Sequence, residues 1–140
     1  MIKVAVAGNF YPLHDGHINH FKEARKLGDY LVAIIGSDKY LENKGKQVFS
    51  PLENRKSQLK AWVDEVIEVV DTDGTVAKTL KRIRPAVYAK SGDRTLETMP
   101  KNEIEVCKEI GCRIVYGVGN TYDTDGQFMS SSKILRRIKE

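Results

Sequence analysis

Residues 1–28 read MIKVAVAGNFYPLHDGHINHFKEARKLG, and the succession of patterns within them decides the fold. Ile2–Ala7 is a short, β-rich apolar run that ends at Gly8. From His17 to Leu27 the residues Ile18, Phe21, Ala24 and Leu27 recur three apart along one side, and Gly28 supplies the stop, so a helix is predicted there. A strand that enters a helix through a glycine-bearing loop is the first half of a βαβ unit.

The same alternation continues to the end of the chain. Tyr30–Gly36 (YLVAIIG) is a continuous apolar run of the kind buried on both faces of a parallel sheet, and a polar, lysine-bearing loop follows from Ser37 to Phe49. Ser50, Pro51 and Glu53 form a helix start with a capping box, predicting a helix to about Val63. Further strands are predicted at Val66–Val70, Ala86–Ala89 and Arg113–Tyr116, with helices at Gly74–Arg84 and about Asn102–Ile110 between them. After the polar loop Gly117–Gln127, the serines at 130–132 read as the cap of a final basic helix. Five strands separated by helices, without a hairpin signal, predict an α/β fold: a doubly wound, Rossmann-like, five-stranded parallel sheet with helices on both faces. We expect one domain over residues 1–140, since there is no repeat, low-complexity tract or linker.

Composition narrows the class further. Charged residues make up 30% and apolar residues 41% of the 140, an ordinary balance for a globular protein. No apolar run has the length of a membrane span, and Ile2–Ala7 is too short for a signal sequence, so a cytoplasmic protein without a membrane partner is expected. Cys107 and Cys112 lack the spacing of a redox pair or a zinc knuckle and are expected to be reduced, partly buried thiols. The net charge of +4 is scattered, which favours a phosphate-lined pocket over a nucleic-acid stripe.

In doubly wound sheets, ligands bind beyond the carboxyl ends of the strands, where the strand order reverses. The chemically interesting stretches all fall at such ends. His14 lies in the turn after the first strand and His17 in the first helical turn, where free amides and the helix dipole favour an anion. Gly16 permits close approach of a ligand to the backbone. Zinc held by His14, His17 and His20 is the weaker reading, because the glycine breaks the helical register, His20 is expected to face solvent, and no carboxylate or thiolate stands at ligand spacing. Lys44 and Lys46 in the second-strand loop are candidates for a lid over a leaving group. Arg55 offers a bidentate grip on phosphate, or else is a helix-surface arginine near Glu53. In KSGDRT (residues 90–95), Gly92 allows backbone approach, Asp93 can accept from ribose or base, and Lys90 and Arg94 can contact an anion. Ser130, Ser131 and Ser132 present hydroxyls and amides to a phosphate, or serve as an ordinary cap.

GNFYPLHDGH (residues 8–17) resembles the signature of the HxGH nucleotidyltransferases, Gly-x-Phe-Asp-x-x-His-x-Gly-His, through Gly8, Phe10, His14, Gly16 and His17. The resemblance runs on through KLGDYLVAIIGSD (26–38), the Lys44/Lys46 loop, ENRK (53–56), VDEVIEV (63–69), SGD (91–93) and SSSKI (130–134). The branch it most resembles is that of the small cytidylyltransferases acting on glycerol 3-phosphate, followed by the heptose-phosphate adenylyltransferase domains. What the resemblance implies is transfer of NMP, CMP foremost, from an NTP to a small phosphorylated alcohol by direct in-line attack, with release of pyrophosphate. The alternative is adenylyl transfer to a sugar phosphate. His14, His17 and Lys46 are implied as catalytic, with Gly8, Asn9, Phe10, Gly16, Lys44, Arg55, Gly92, Asp93 and Ser130–Ser132 as the nucleotide site. Tyr11, Lys90 and Arg94 are the candidate acceptor contacts. Mg²⁺ is implied as carried by the nucleotide, with no protein metal ligands, and a homodimer is implied as the assembly.

The chain departs from that pattern in two places. Tyr11 stands where the signature has aspartate, and DGQFMSSS (125–132) replaces the Arg-Thr-x-Gly-Ile-Ser-Thr-Thr of the cytidylyltransferases. The serine triplet is closer to the Ile-Ser-Ser-Thr-x-Ile-Arg of adenylyl-transferring members. Two other classes are compatible with these residues: a non-catalytic nucleotide sensor that kept the pocket, and a nucleic-acid module resting on the basic final helix.

Overall fold

The structure is a computed structural model that describes residues 1–8, 10, 15–37, 52–91 and 95–119. Its elements alternate in the predicted order. They are β1 (Lys3–Ala7), α1 (Asp15–Arg25), β2 (Tyr30–Ile35), α2 (Leu52–Leu59), β3 (Glu65–Glu68), α3 (Ala77–Ile83), β4 (Val87–Ala89), a 3₁₀ turn (Leu96–Thr98), α4 (Lys101–Ile110) and β5 (Arg113–Val115). The sheet order is β3-β2-β1-β4-β5, with every neighbouring pair parallel. Strand order therefore reverses between β1 and β4, which is the switch point of this sheet.

Alternation along the strands divides the interior into two layers. Val4 and Val6 of β1, with Leu31, Ala33 and Ile35 of β2 and Val87 and Ala89 of β4, pack against Phe21 and Ala24 of α1 and Leu59 of α2. Ala5, Ile34 and Tyr88 point the other way, against Leu80 of α3 and Cys107 of α4. Helices α1 and α2 thus cover one face and α3 and α4 the other, the arrangement that right-handed crossovers impose on this strand order. After its first residue, β2 is buried throughout, because it sits between β1 and β3 with helices on both sides.

Several boundaries move from their predicted places. α1 starts at Asp15 rather than His17, and α3 starts at Ala77 rather than Gly74. The later start of α3 has an identifiable cause. Asp71 is buried and accepts hydrogen bonds from the Lys78 amide (2.7 Å), the Thr79 amide (3.0 Å) and the Thr79 hydroxyl (2.7 Å), so a distant carboxylate caps the helix. At the other end Arg84 takes the left-handed conformation, and its amide bonds back to Leu80. α4 ends at Gly111 (φ +73°), with the Cys112 amide returning to the Cys107 carbonyl at 2.8 Å, a Schellman-type closure. Both cysteines are free and are more fully buried than expected. Among the described residues, no helix is long and apolar enough to cross a membrane. The predicted Ser50–Pro51 helix start and the final helix lie outside the described residues.

Candidate active site

The carboxyl end of β1 delivers the chain to the switch point in a constrained form. The Gly8 amide donates to the Ile34 carbonyl at 3.1 Å, so the first residue past β1 is still held against β2. Phe10 is buried with φ +52°, a left-handed backbone that costs a non-glycine residue on the order of 1 kcal/mol. Its ring stands edge-on to His17, with centroids 5.3 Å apart and planes at 87°, and edge-on to Phe21 at 4.9 Å and 73°. A Cβ on Gly8 would come within 3.2 Å of that ring. Phe10 is thus a wedge between the strand end and the first turn of α1, and it fixes the side from which His17 meets the site.

His17 is the third residue of α1, within the turn whose amides lack intrahelical partners. Gly16, one residue earlier, is buried. An imidazole together with the amino end of an eleven-residue helix makes a site suited to anions at the carboxyl end of β1.

Two buried basic residues lie beyond the ends of the neighbouring strands, one from α2 and one directly after β4. Arg55 is only 2% exposed, and its Nη1 donates to the Gly36 carbonyl at 2.8 Å, just beyond β2. The alternative of a helix-surface arginine near Glu53 is therefore overturned: the guanidinium lies beneath the end of β2. Beyond β4, Lys90 is also buried, and its amide donates to Val115 at 2.8 Å.

His20 corrects the sequence reading most clearly. It was expected to face solvent, but it is buried, and its Nδ1 lies 2.6 Å from the Val118 carbonyl. Burial lowers its basicity; the bond to Val118 acts in the opposite sense, and the charge of Lys90 adds to the lowering. The ring is held neutral as an Nδ1–H donor and ties α1 to the segment after β5. Gly119 makes that approach possible, since a Cβ there would lie 2.6 Å from the His20 Cα.

The structure therefore gathers Gly8, Phe10, Gly16, His17, Arg55 and Lys90 along one edge of the sheet. Asn9, Tyr11, His14, Lys44, Lys46, Gly92, Asp93, Arg94 and Ser130–Ser132 lie outside the described residues. Sequence reasoning did not single out Tyr88 and Glu103, which continue a hydrogen-bond chain from Lys90, or Tyr116, which packs in the same layer as Tyr88; strand and helix placement alone carries no signal for them. Among the described residues, no group of three His, Cys, Asp or Glu side chains could hold a metal ion.

A doubly wound sheet with a helix amino end and an HxGH histidine at its switch point defines a nucleotidyltransferase. The family described as Cytidylyltransferase-like matches residues 5–137, and the chain belongs to it. Among curated relatives, an FAD synthase of Picrophilus torridus is 36% identical over 143 residues, covering 99% of this chain and 97% of that protein. An FAD synthase of Pyrococcus abyssi is 33% identical over 144 residues, covering 99% and 93%. Among solved structures, a lipopolysaccharide core biosynthesis protein from Thermoplasma volcanium superposes with a TM-score of 0.69 at 28% identity, covering 88% of this chain and 99% of that one. Thermotoga maritima TmcAL, solved with α-thio ATP, shares the fold with a TM-score of 0.71 at 16% identity, over 99% of this chain and 50% of that one.

Proposed function

We propose that this chain, as one nucleotidyltransferase domain over residues 1–140, transfers AMP from ATP to the phosphate of FMN, producing FAD and pyrophosphate. The observation that carries this reading is its end-to-end similarity to proteins named FAD synthase. That similarity favours adenylyl transfer over the cytidylyl transfer to glycerol 3-phosphate expected from the motif set, and the serine triplet at 130–132 agrees with it.

In the proposed reaction an oxygen of the FMN phosphate attacks the α-phosphorus of ATP. The bond from that phosphorus to the bridging oxygen breaks, and pyrophosphate leaves with the electron pair. His17 and the first-turn amides of α1 bind the phosphates and stabilise the charge that builds on them. His14 and Lys46 are assigned to the same task, with Asn9, Lys44, Arg55, Gly92, Asp93 and Ser130–Ser132 completing the nucleotide site. Tyr11 and Arg94 are assigned to the acceptor side. Mg²⁺ enters as part of the nucleotide, neutralising phosphate charge, with its ligands drawn from phosphate oxygens and water. A homodimer in the cytoplasm remains our expectation for the assembly.

The test is a pyrophosphate-release screen of ATP and CTP against FMN, glycerol 3-phosphate and a heptose phosphate, with chromatographic detection of FAD. ATP with FMN should be the productive pair, and His17→Ala should lower its turnover by about 10²-fold or more while weakening ATP binding less. Turnover with CTP and glycerol 3-phosphate alone would restore the cytidylyl reading. Nucleotide binding without turnover of any pair would make the chain a sensor.

A further inference from the structure

Lys90 is a buried cation on the face of the sheet opposite α1. It follows β4 directly, and its backbone is fixed on both sides: its amide donates to Val115 at 2.8 Å and its carbonyl accepts from the Val118 amide at 2.9 Å. Its Nζ lies 4.6 Å above the centroid of the Tyr88 ring and donates to the Tyr88 hydroxyl at 3.2 Å. That hydroxyl donates onward to Glu103 Oε1 at 3.1 Å. Glu103 is itself only 5% exposed, and its Oε2 accepts from the Val76 amide at 3.2 Å. The bonds form one directed chain, ammonium to hydroxyl to carboxylate. Burying Lys90 and Glu103 would each be costly alone, and the chain offsets both while fixing where the ammonium stands.

A second polar group lies on the adjoining chain segment, in the layer that holds Tyr88. The register ends with Ala89 paired to Val115, so Lys90 and Tyr116 are the residues that follow the last pair on the two adjoining strands. Tyr116 packs with Ile114 and Tyr88 against the same layer. Its hydroxyl is buried and, among the described residues, has no hydrogen-bond partner. Burial, with the Cys107 thiol and Glu97 nearby, raises the phenol above its ordinary value, so it remains a neutral donor. Unsatisfied buried hydroxyls are uncommon and destabilising, and a ligand is one way to satisfy them.

The chemistry proposed above indicates which ligand. Pyrophosphate leaves towards the amino end of α1, on one face of the sheet, so the attacking oxygen must approach the α-phosphorus from roughly the opposite side. Across the switch point lies the face of α3 and α4, where Lys90 and Tyr116 stand at the edge of β4 and β5. We propose that Lys90 and Tyr116 bind the phosphate monoester of the acceptor, and that Tyr88 and Glu103 are positioning residues that hold the Lys90 ammonium for it. This rests on the nucleotidyl-transfer reading but does not depend on the acceptor being a flavin.

The experiment is calorimetric titration of wild type, Lys90→Met, Lys90→Arg, Tyr116→Phe and Tyr88→Phe with FMN, riboflavin, glycerol 3-phosphate and ATP, followed by steady-state kinetics. Lys90→Met should weaken the bound phosphomonoester by about ten- to a hundredfold, the range for a lost charge-assisted hydrogen bond. ATP and the phosphate-free riboflavin should change less than about twofold, and Lys90→Arg should recover part of the loss. Tyr116→Phe should weaken the phosphomonoester several-fold without lowering Tm, because it removes an unsatisfied hydroxyl. Tyr88→Phe should raise the acceptor KM with kcat nearly unchanged, a split that a purely structural role would not produce. If wild type binds glycerol 3-phosphate but not FMN, and Lys90→Met weakens it, the flavin reading fails and the subsite stands. If wild type binds FMN and Lys90→Met binds it equally well, the subsite fails and the flavin reading stands. A loss falling on ATP instead of the acceptor overturns the subsite, and absence of any phosphomonoester binding overturns both.

Discussion

Gly119→Ala perturbs the contact between the end of the sheet and α1. Gly119 has φ +93°, and a Cβ there would lie 2.6 Å from the His20 Cα, 2.9 Å from the His20 amide nitrogen and 3.2 Å from Asn19 Oδ1. Two costs follow. Holding alanine at positive φ costs about 1–2 kcal/mol. Normal carbon contacts begin near ~3.5 Å, so the helix backbone must also retreat by about 1 Å, which at overpacked sites costs about 1–3 kcal/mol. The expected loss is thus ~2–5 kcal/mol. Gly111→Ala is the matched control, because Gly111 has φ +73° and nothing within 4 Å of a built Cβ. It should cost only the conformational part, about 1–2 kcal/mol. Urea denaturation of wild type and both variants, followed by circular dichroism at a fixed pH, separates the two costs. Equal losses within ~0.5 kcal/mol would refute the close approach of the Gly119 segment to α1.

Two further outcomes concern buried polar groups. His20 is less basic in the folded chain than its unfolded reference, so its stabilisation is fully present above pH ~6.5 and declines as pH falls towards the folded value. The decline should be up to about 1.4 kcal/mol per pH unit, and the stability difference between wild type and His20→Gln should narrow across that range; a pH-independent difference would contradict it. Asp71→Ala should strip the Lys78 and Thr79 amides of their acceptor and cost about 2–4 kcal/mol, seen as a fall of ~10 °C in Tm, whereas Asp71→Asn should cost less because it retains an acceptor oxygen.

What was legible in the sequence follows physical locality. The apolar run of Tyr30–Gly36, the three-residue recurrence along His17–Leu27 and the glycine stops are short-range patterns, and they place β2, α1 and the ends of α1 and α4 nearly where they stand. His17 at a helix amino end beyond β1 was readable for the same reason, since strand, turn and helix are contiguous. The start of α3 was missed because its capping carboxylate lies seven residues before the amide it holds, too far for a local capping motif.

The sequence by itself determined the parallel doubly wound class and the edge at which chemistry must occur, because periodicity and chain order depend only on near neighbours. Only the tertiary structure decided what each polar side chain does there. His20 turned from a surface residue into a tie between α1 and the segment after β5 through a partner 98 residues away, and Arg55 went under the end of β2 through one 19 residues away. Lys90 gained its bearing from Tyr88 and Glu103, one on the strand and one on a helix packed against it. A buried polar group is costly without a partner, and which partner it meets is set by how the chain crosses itself.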